Sequence, residues 1–161
     1  MASEAIPASI LTGLGDANWK TRIIALEEMA TWLEEGAVDT VEAEIIVRAL
    51  AKKGWSEKNF QVSSKIFGVF TFLAEKSPTF GRASIALAVG HLTEKLGDLK
   101  LKKPAGDTLF AFAEKTSLQF VLSQGMKTIE TIVKPMLTYL QLMTLLQSRR
   151  RRRFWQMQPF G

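Results

Sequence analysis

Cysteine is absent from the 161 residues, and His91 is the only histidine. These two facts remove thiolate nucleophiles, disulfides and any set of thiolates or imidazoles able to hold zinc. His91 falls within the apolar pattern Ile85, Ala88, Val89, Leu92. A packed structural side chain is the role expected of it, not a general base. No strand alternation is evident, so no glycine-rich phosphate loop can follow a strand. The chain is expected not to be an enzyme and to need neither cofactor nor metal.

Recognition is the chemistry that remains. Aromatic and basic residues gather at three places: Trp19, Lys20 and Arg22; then Trp55, Lys58, Asn59 and Phe60; then Asp98, Lys100, Lys102 and Lys103. Tryptophan and cations are common interface anchors and suit an acidic partner surface. Each group has a plainer reading. Trp19 could pack into its own repeat, Trp55 sits where a helix pair turns and is expected to be structural, and three lysines are ordinarily solvated charge. The recurrence at about 40-residue spacing favours the functional reading. A separate charge feature is the run Arg149, Arg150, Arg151, Arg152 and Arg153. It accounts for the whole net charge of +5, because the remaining chain has 16 basic and 16 acidic residues. A nucleic-acid-binding domain usually spreads basic residues over a face, so the body of the chain is not expected to bind nucleic acid.

These residues need elements to hold them, and helical periodicity supplies them. Ile23, Leu26, Met29, Ala30 and Leu33 share one helix face, as do Ile85, Ala88, Val89, Leu92 and Leu96. From Ile66 to Ala74 the helix is apolar all round, which predicts a central element covered on several sides. Asn18 can cap a helix running from Trp19 to Gly36, and a second runs from about Val41 to Gly54. Ser56 can cap a third, from Glu57 to Lys76. Others are expected over Phe80–Leu96, from near Pro104 to Lys115, and as a short turn over Ser117–Gln124. Connectors at Asp16–Lys20, Gly54–Asn59 and Gly97–Pro104 repeat at about the HEAT and armadillo period. The prediction is an all-α, HEAT-repeat α-solenoid of antiparallel helix pairs, with loops along one edge as its natural binding surface. No apolar run reaches the roughly 18 to 20 residues of a membrane span, and the acidic N-terminus Met1-Ala2-Ser3-Glu4 lacks a signal peptide's cationic region. A soluble intracellular protein is expected.

The strings Asp16-Ala17-Asn18-Trp19-Lys20-Thr21-Arg22 and Gly54-Trp55-Ser56-Glu57-Lys58-Asn59-Phe60-Gln61-Val62, then Glu94-Lys95-Leu96-Gly97-Asp98-Leu99-Lys100, resemble the first three repeats of a TOG domain. TOG domains occur in microtubule polymerases of the Dis1 and chTOG type. The resemblance implies binding to αβ-tubulin, mainly its β subunit, or to microtubule ends. It implies a cytoplasmic, cytoskeletal setting at spindle poles, centrosomes or plus ends. It assigns Trp19 as the packing aromatic, with Lys20 and Arg22 as adjacent contacts, Asn59 and Lys58 in the second loop, and Lys100 with Lys103 in the third. Phe60-Gln61-Val62 is expected to anchor its helix. The likeness covers about Ile10 to Gly125, and residues 1–125 are read as a partial TOG domain of about three and a half repeats. Residues 126–161 read as a non-family helix, apolar at Ile129, Ile132, Val133, Met136, Leu137, Leu140 and Met143, followed by the arginine-rich tail. A general HEAT adaptor, or a tail-driven binder of nucleic acid or anionic surfaces, are the rival readings.

Overall fold

The computed structural model describes residues 5–126 and 141–149. Every regular element among them is helical. In chain order they are α1 (Ala8–Leu14), α2 (Trp19–Trp32), α3 (Val38–Thr40), α4 (Ala43–Gly54), α5 (Phe60–Lys76), α6 (Arg82–Lys95) and α7 (Lys102–Lys115). Residues 118–126 form α8, and 141–149 are also helical. Most of the apolar stripe and Arg150 to Arg153 lie outside the described residues.

Packing sorts the longer helices into two layers. α2, α5 and α7 stack side by side, while α4 packs on α6. α1 rests on α2 and also reaches α4. The pairs α1/α2, α4/α5 and α6/α7 each turn through a short loop, as stacked helical repeats require. α5 lies between α2 and α7 with α4 behind it. Its buried Val62, Ile66, Phe67, Val69, Phe70, Leu73 and Ala74 satisfy those neighbours. The central placement expected from its all-round apolarity is therefore observed.

Close approach and polar pins fix the stack. A Cβ on Gly13 would lie 2.7 Å from the Ala25 Cβ, so glycine is what lets α1 settle on α2. Thr108 Oγ1 on α7 donates to the Phe67 carbonyl of α5 at 3.2 Å and lies 2.9 Å from Thr71 Oγ1. On the opposite edge, Thr79 Oγ1 accepts from the Ala43 N–H at 2.9 Å and so holds the start of α4. Lys115 Nζ donates to the Ser77 carbonyl at 3.1 Å.

Several boundaries differ from the expectation. α5 begins at Phe60, and its cap is Asn59, not Ser56: Asn59 Oδ1 accepts from the Gln61 and Val62 N–H groups at 2.9 and 3.3 Å. Both residue types cap well, and periodicity cannot choose between cap residues three positions apart. α2 is regular to Trp32, and the chain kinks out of the helix at Gly36, the residue expected to close it. Gly36 adopts φ 124°, a conformation costly for any residue with a Cβ. α1 was not foreseen, being a seven-residue helix with little period to read. Pro104 sits in the first turn of α7, where its missing N–H costs nothing.

Candidate functional site

The three loops joining helix pairs share one local device. Asp16, Glu57 and Asp98 stand 41 positions apart in succession. In each case the carboxylate accepts the N–H two residues on: Asn18 at 2.7 Å, Asn59 at 2.8 Å and Lys100 at 2.8 Å. In the first two loops an asparagine then caps the following helix. Asn18 Oδ1 accepts from Lys20 N–H at 3.0 Å, as Asn59 does for α5. The third loop has Lys100 at the asparagine position, and Asp98 Oδ1 also accepts from Leu101 N–H at 3.1 Å. These turns use up backbone donors that would otherwise be unsatisfied at a helix start. They thereby fix the direction of the next residue in each loop.

That next residue is aromatic twice. Trp19 and Phe60 each open a helix directly after the capping asparagine. They are 37% and 42% exposed, so both rings show a face to solvent at the loop edge. A cation accompanies each ring. Lys20 Nζ lies 5.8 Å from the Trp19 ring centroid, and Lys100 Nζ reaches across from the third loop to 4.5 Å from the Phe60 centroid. At exposed sites such contacts contribute about 0.5–1 kcal/mol each.

A part-buried ion pair ties the first loop to the second. Arg22 Nε and Nη2 bind Glu57 Oε2 and Oε1 at 2.7 and 2.9 Å. Its Nη1 donates to the Asp16 and Ala17 carbonyls at 2.8 and 3.0 Å. The two side chains are 18% and 7% exposed. Burial alone would raise the Glu57 carboxyl. The Arg22 hydrogen bonds and charge, with N–H donation from Asn59 and Lys58, outweigh it and hold Glu57 below the usual carboxylate range. Arg22, expected as an adjacent contact, has its donors turned to Glu57 and to the Asp16 and Ala17 carbonyls, so it clamps the two loops together. A tertiary partner 35 positions away left no local trace in the sequence.

Beneath the second loop, Trp55 stacks on His91 with centroids 4.2 Å apart and meets Phe70 edge-on. This is the structural role expected of both. His91 is 9% exposed, and its Nε2 has no hydrogen-bond partner among the described residues. Desolvation, aided by the charge of Lys95, pulls its pKa from 6.5 to about 4, so the ring is neutral at pH 7.

Of the other expected site residues, Lys20, Lys58 and Lys100 are exposed on the edge. Lys103 is exposed and pairs with Asp107 at 2.8 Å, a hydrogen bond that raises its pKa. Asn59 is half-buried by its capping duty. Arg149 is exposed at the end of the 141–149 helix. Phe60 was expected to anchor its helix, yet Val62 does the anchoring at 2% exposure while Phe60 turns outward. The repeated asparagine–aromatic step was the signal available for it.

Known proteins are similar to this chain in sequence and in fold. The chain is 35% identical over 128 residues to protein mini spindles of Drosophila melanogaster, covering 76% of this chain and 6% of that protein. It is 31% identical over 121 residues to protein MOR1 of Arabidopsis thaliana, covering 73% and 6%. A match to centrosomal protein 224 of Dictyostelium discoideum is 32% identical over 111 residues, covering 65% and 5%. The chain thus spans only a small part of the length of these relatives. Among solved structures, Drosophila melanogaster Mini spindles TOG3 superposes with a TM-score of 0.65 at 33% identity, covering 76% of this chain and 55% of that one. No family model matches the sequence. The stacked helix pairs, their 41-residue loop register and these likenesses together place the chain in the TOG-domain family of mini spindles and MOR1.

Proposed function

We propose that this chain is a tubulin-binding module whose loop edge contacts αβ-tubulin, principally the β subunit, in a microtubule polymerase or spindle-organising protein. The observation that carries the proposal is the outward Trp19 ring, held by the Asp16–Asn18 turn at one end of a contiguous edge bearing Lys20, Lys58, Asn59 and Lys100. A rigid aromatic flanked by lysines suits an acidic surface with an apolar recess. Lys103 adds charge at the rim, where its pairing with Asp107 and solvent screening leave it a minor contributor. Arg22 takes no direct contact in this reading and holds the loops in place.

Trp19→Ala should weaken tubulin binding by about 2 kcal/mol, roughly 30-fold in Kd. Gel-filtration or fluorescence titration against tubulin, alongside circular dichroism, is the test. Unchanged affinity with an intact fold would remove Trp19, and with it this reading, from consideration. The arginine run favours a second reading, electrostatic attachment to anionic surfaces. Binding of that kind should fall steeply with salt and vanish when residues 149–161 are deleted, whereas loop-edge binding should survive the deletion.

A further inference from the structure

Resting on the second, electrostatic reading, we infer that the 141–149 helix and the arginine run that follows it form a site for an anionic lipid surface, with the helix laid in the headgroup plane and its leucines turned into the acyl boundary. The helix carries Leu142, Met143, Leu145 and Leu146, each between 40% and 57% exposed. At about 100° per residue these four fall within an arc of about 160°, and Gln141, Thr144, Gln147 and Ser148 take the other side. A helix serving the core would bury such a stripe. This one presents it to solvent, next to an exposed Arg149.

Charge gives the second observation. Arg149 to Arg153 are consecutive and account for the whole net charge of +5, while the rest of the chain is balanced at 16 basic and 16 acidic residues. The helix therefore leads directly into the longest cationic run of the sequence, and Phe154 and Trp155 follow it. An apolar helix face beside cations, with aromatic residues close by, is what an interfacial anchor combines. Guanidinium groups bind headgroup phosphates and carboxylates, and the acyl boundary takes the leucines. Either signal alone attaches weakly, and the two together hold. Among the described residues no helix is long and apolar enough to cross a membrane, which suits a helix lying on the surface. Nucleic acid meets only half of this site, because a phosphate backbone offers the leucines no recess. A second copy meets only the other half, because it sets five arginines against five.

The test is co-sedimentation of the full chain with vesicles of phosphatidylcholine alone and of phosphatidylcholine with about 30% phosphatidylserine. Binding to duplex DNA, a polyanion without an apolar interior, is measured beside it. Wild type is compared with Leu142→Gln/Leu145→Gln/Leu146→Gln and with a variant in which Arg149 to Arg153 are all replaced by glutamine. Glutamine forms helices well and the three leucines lie outside the apolar core, so circular dichroism and melting temperature should match wild type. Wild type should bind the phosphatidylserine vesicles and leave the phosphatidylcholine vesicles bare. The leucine variant should bind the anionic vesicles at least about tenfold more weakly, and DNA as wild type does. The arginine variant should lose both, at about fivefold per arginine on the vesicles. Equal vesicle binding by wild type and the leucine variant, or wild type that binds DNA and no vesicles, would overturn the inference and leave the electrostatic reading standing. Equal binding of wild type to both kinds of vesicle would overturn the pairing of charge with the helix face. Wild type that pellets without lipid, cured in the leucine variant, would assign that face to self-association and overturn the lipid site. Wild type that binds neither vesicles nor DNA would end the electrostatic reading and this inference with it.

Discussion

Replacing His91 with phenylalanine should flatten the stability of the domain between pH 7.5 and 5.5. In the folded chain the imidazole is neutral, stacked on Trp55 and set edge-on to Phe67 at 6.0 Å, with its pKa near 4. In the unfolded chain it returns to 6.5. Because the folded pKa is the lower one, the unfolded state takes up the proton first, and stability falls as pH drops below 6.5. At pH 5.5 protonation favours the unfolded state by about 1.4 kcal/mol, while the folded state gains almost nothing. Wild type should therefore lose about 1.4 kcal/mol on going from pH 7.5 to 5.5, a drop in Tm of roughly 3–6 °C for a domain of this size. Phenylalanine fills nearly the same flat volume and stacks on the same indole. It also removes the unpartnered Nε2. The variant should be at least as stable as wild type at pH 7.5 and should lose little by pH 5.5. Urea melts at pH 7.5, 6.5 and 5.5, followed by circular dichroism, provide the measurement. Glu57 does not confuse this window, since its carboxyl is held below the usual range. Equal wild-type stability at pH 7.5 and 5.5, or an undiminished loss in the variant, would refute the reasoning.

Glu57→Ala should cost about 2–3 kcal/mol in a denaturant melt, because it strands a half-buried guanidinium and frees the start of α5. The depressed Glu57 carboxyl stabilises the fold above its unfolded pKa of 4.5, and that contribution should fade as pH falls through the lower folded value. An acid titration of the Glu57→Gln variant should show a shallower loss there than wild type. Gly36→Ala should cost about 1–2 kcal/mol in the same melt through backbone conformation alone, because φ is 124° and no atom lies within 4 Å of the added Cβ. A variant as stable as wild type would mean the turn at Leu33–Ala37 rebuilds itself.

Most of the helical frame was legible because apolar spacing reports which face a helix buries. The reading of Ile66 to Ala74 as central followed from that rule alone, and α5 lies where it placed it. The loops were legible as composition, since Trp19, Lys58 and Lys100 recur at repeat spacing. Their geometry was not. Arg22 looks like a surface cation in sequence because nothing within several residues reveals Glu57 as its partner. Phe60 and Val62 are both apolar and two positions apart, and only the direction of the α5 axis separates the outward ring from the inward one. Asn59 could be singled out by resemblance, but its capping work emerged from the start point of the helix.

The hydrogen bond from Thr108 to the Phe67 carbonyl joins positions 41 apart, the same interval that separates the carboxylates of successive loops. Neighbouring rungs are therefore held in phase, and the distance between them is set by what fills the space where helices touch, about 8–10 Å for packed helices. The core then acts as a gauge block for the edge. Trimming the fully buried Phe67, or enlarging Ala111 on the facing helix, would change the interval between one loop and the next without touching any loop residue. A partner that reads several rungs at once measures that interval, so substitutions deep in the stack can detune recognition while every exposed side chain stays the same.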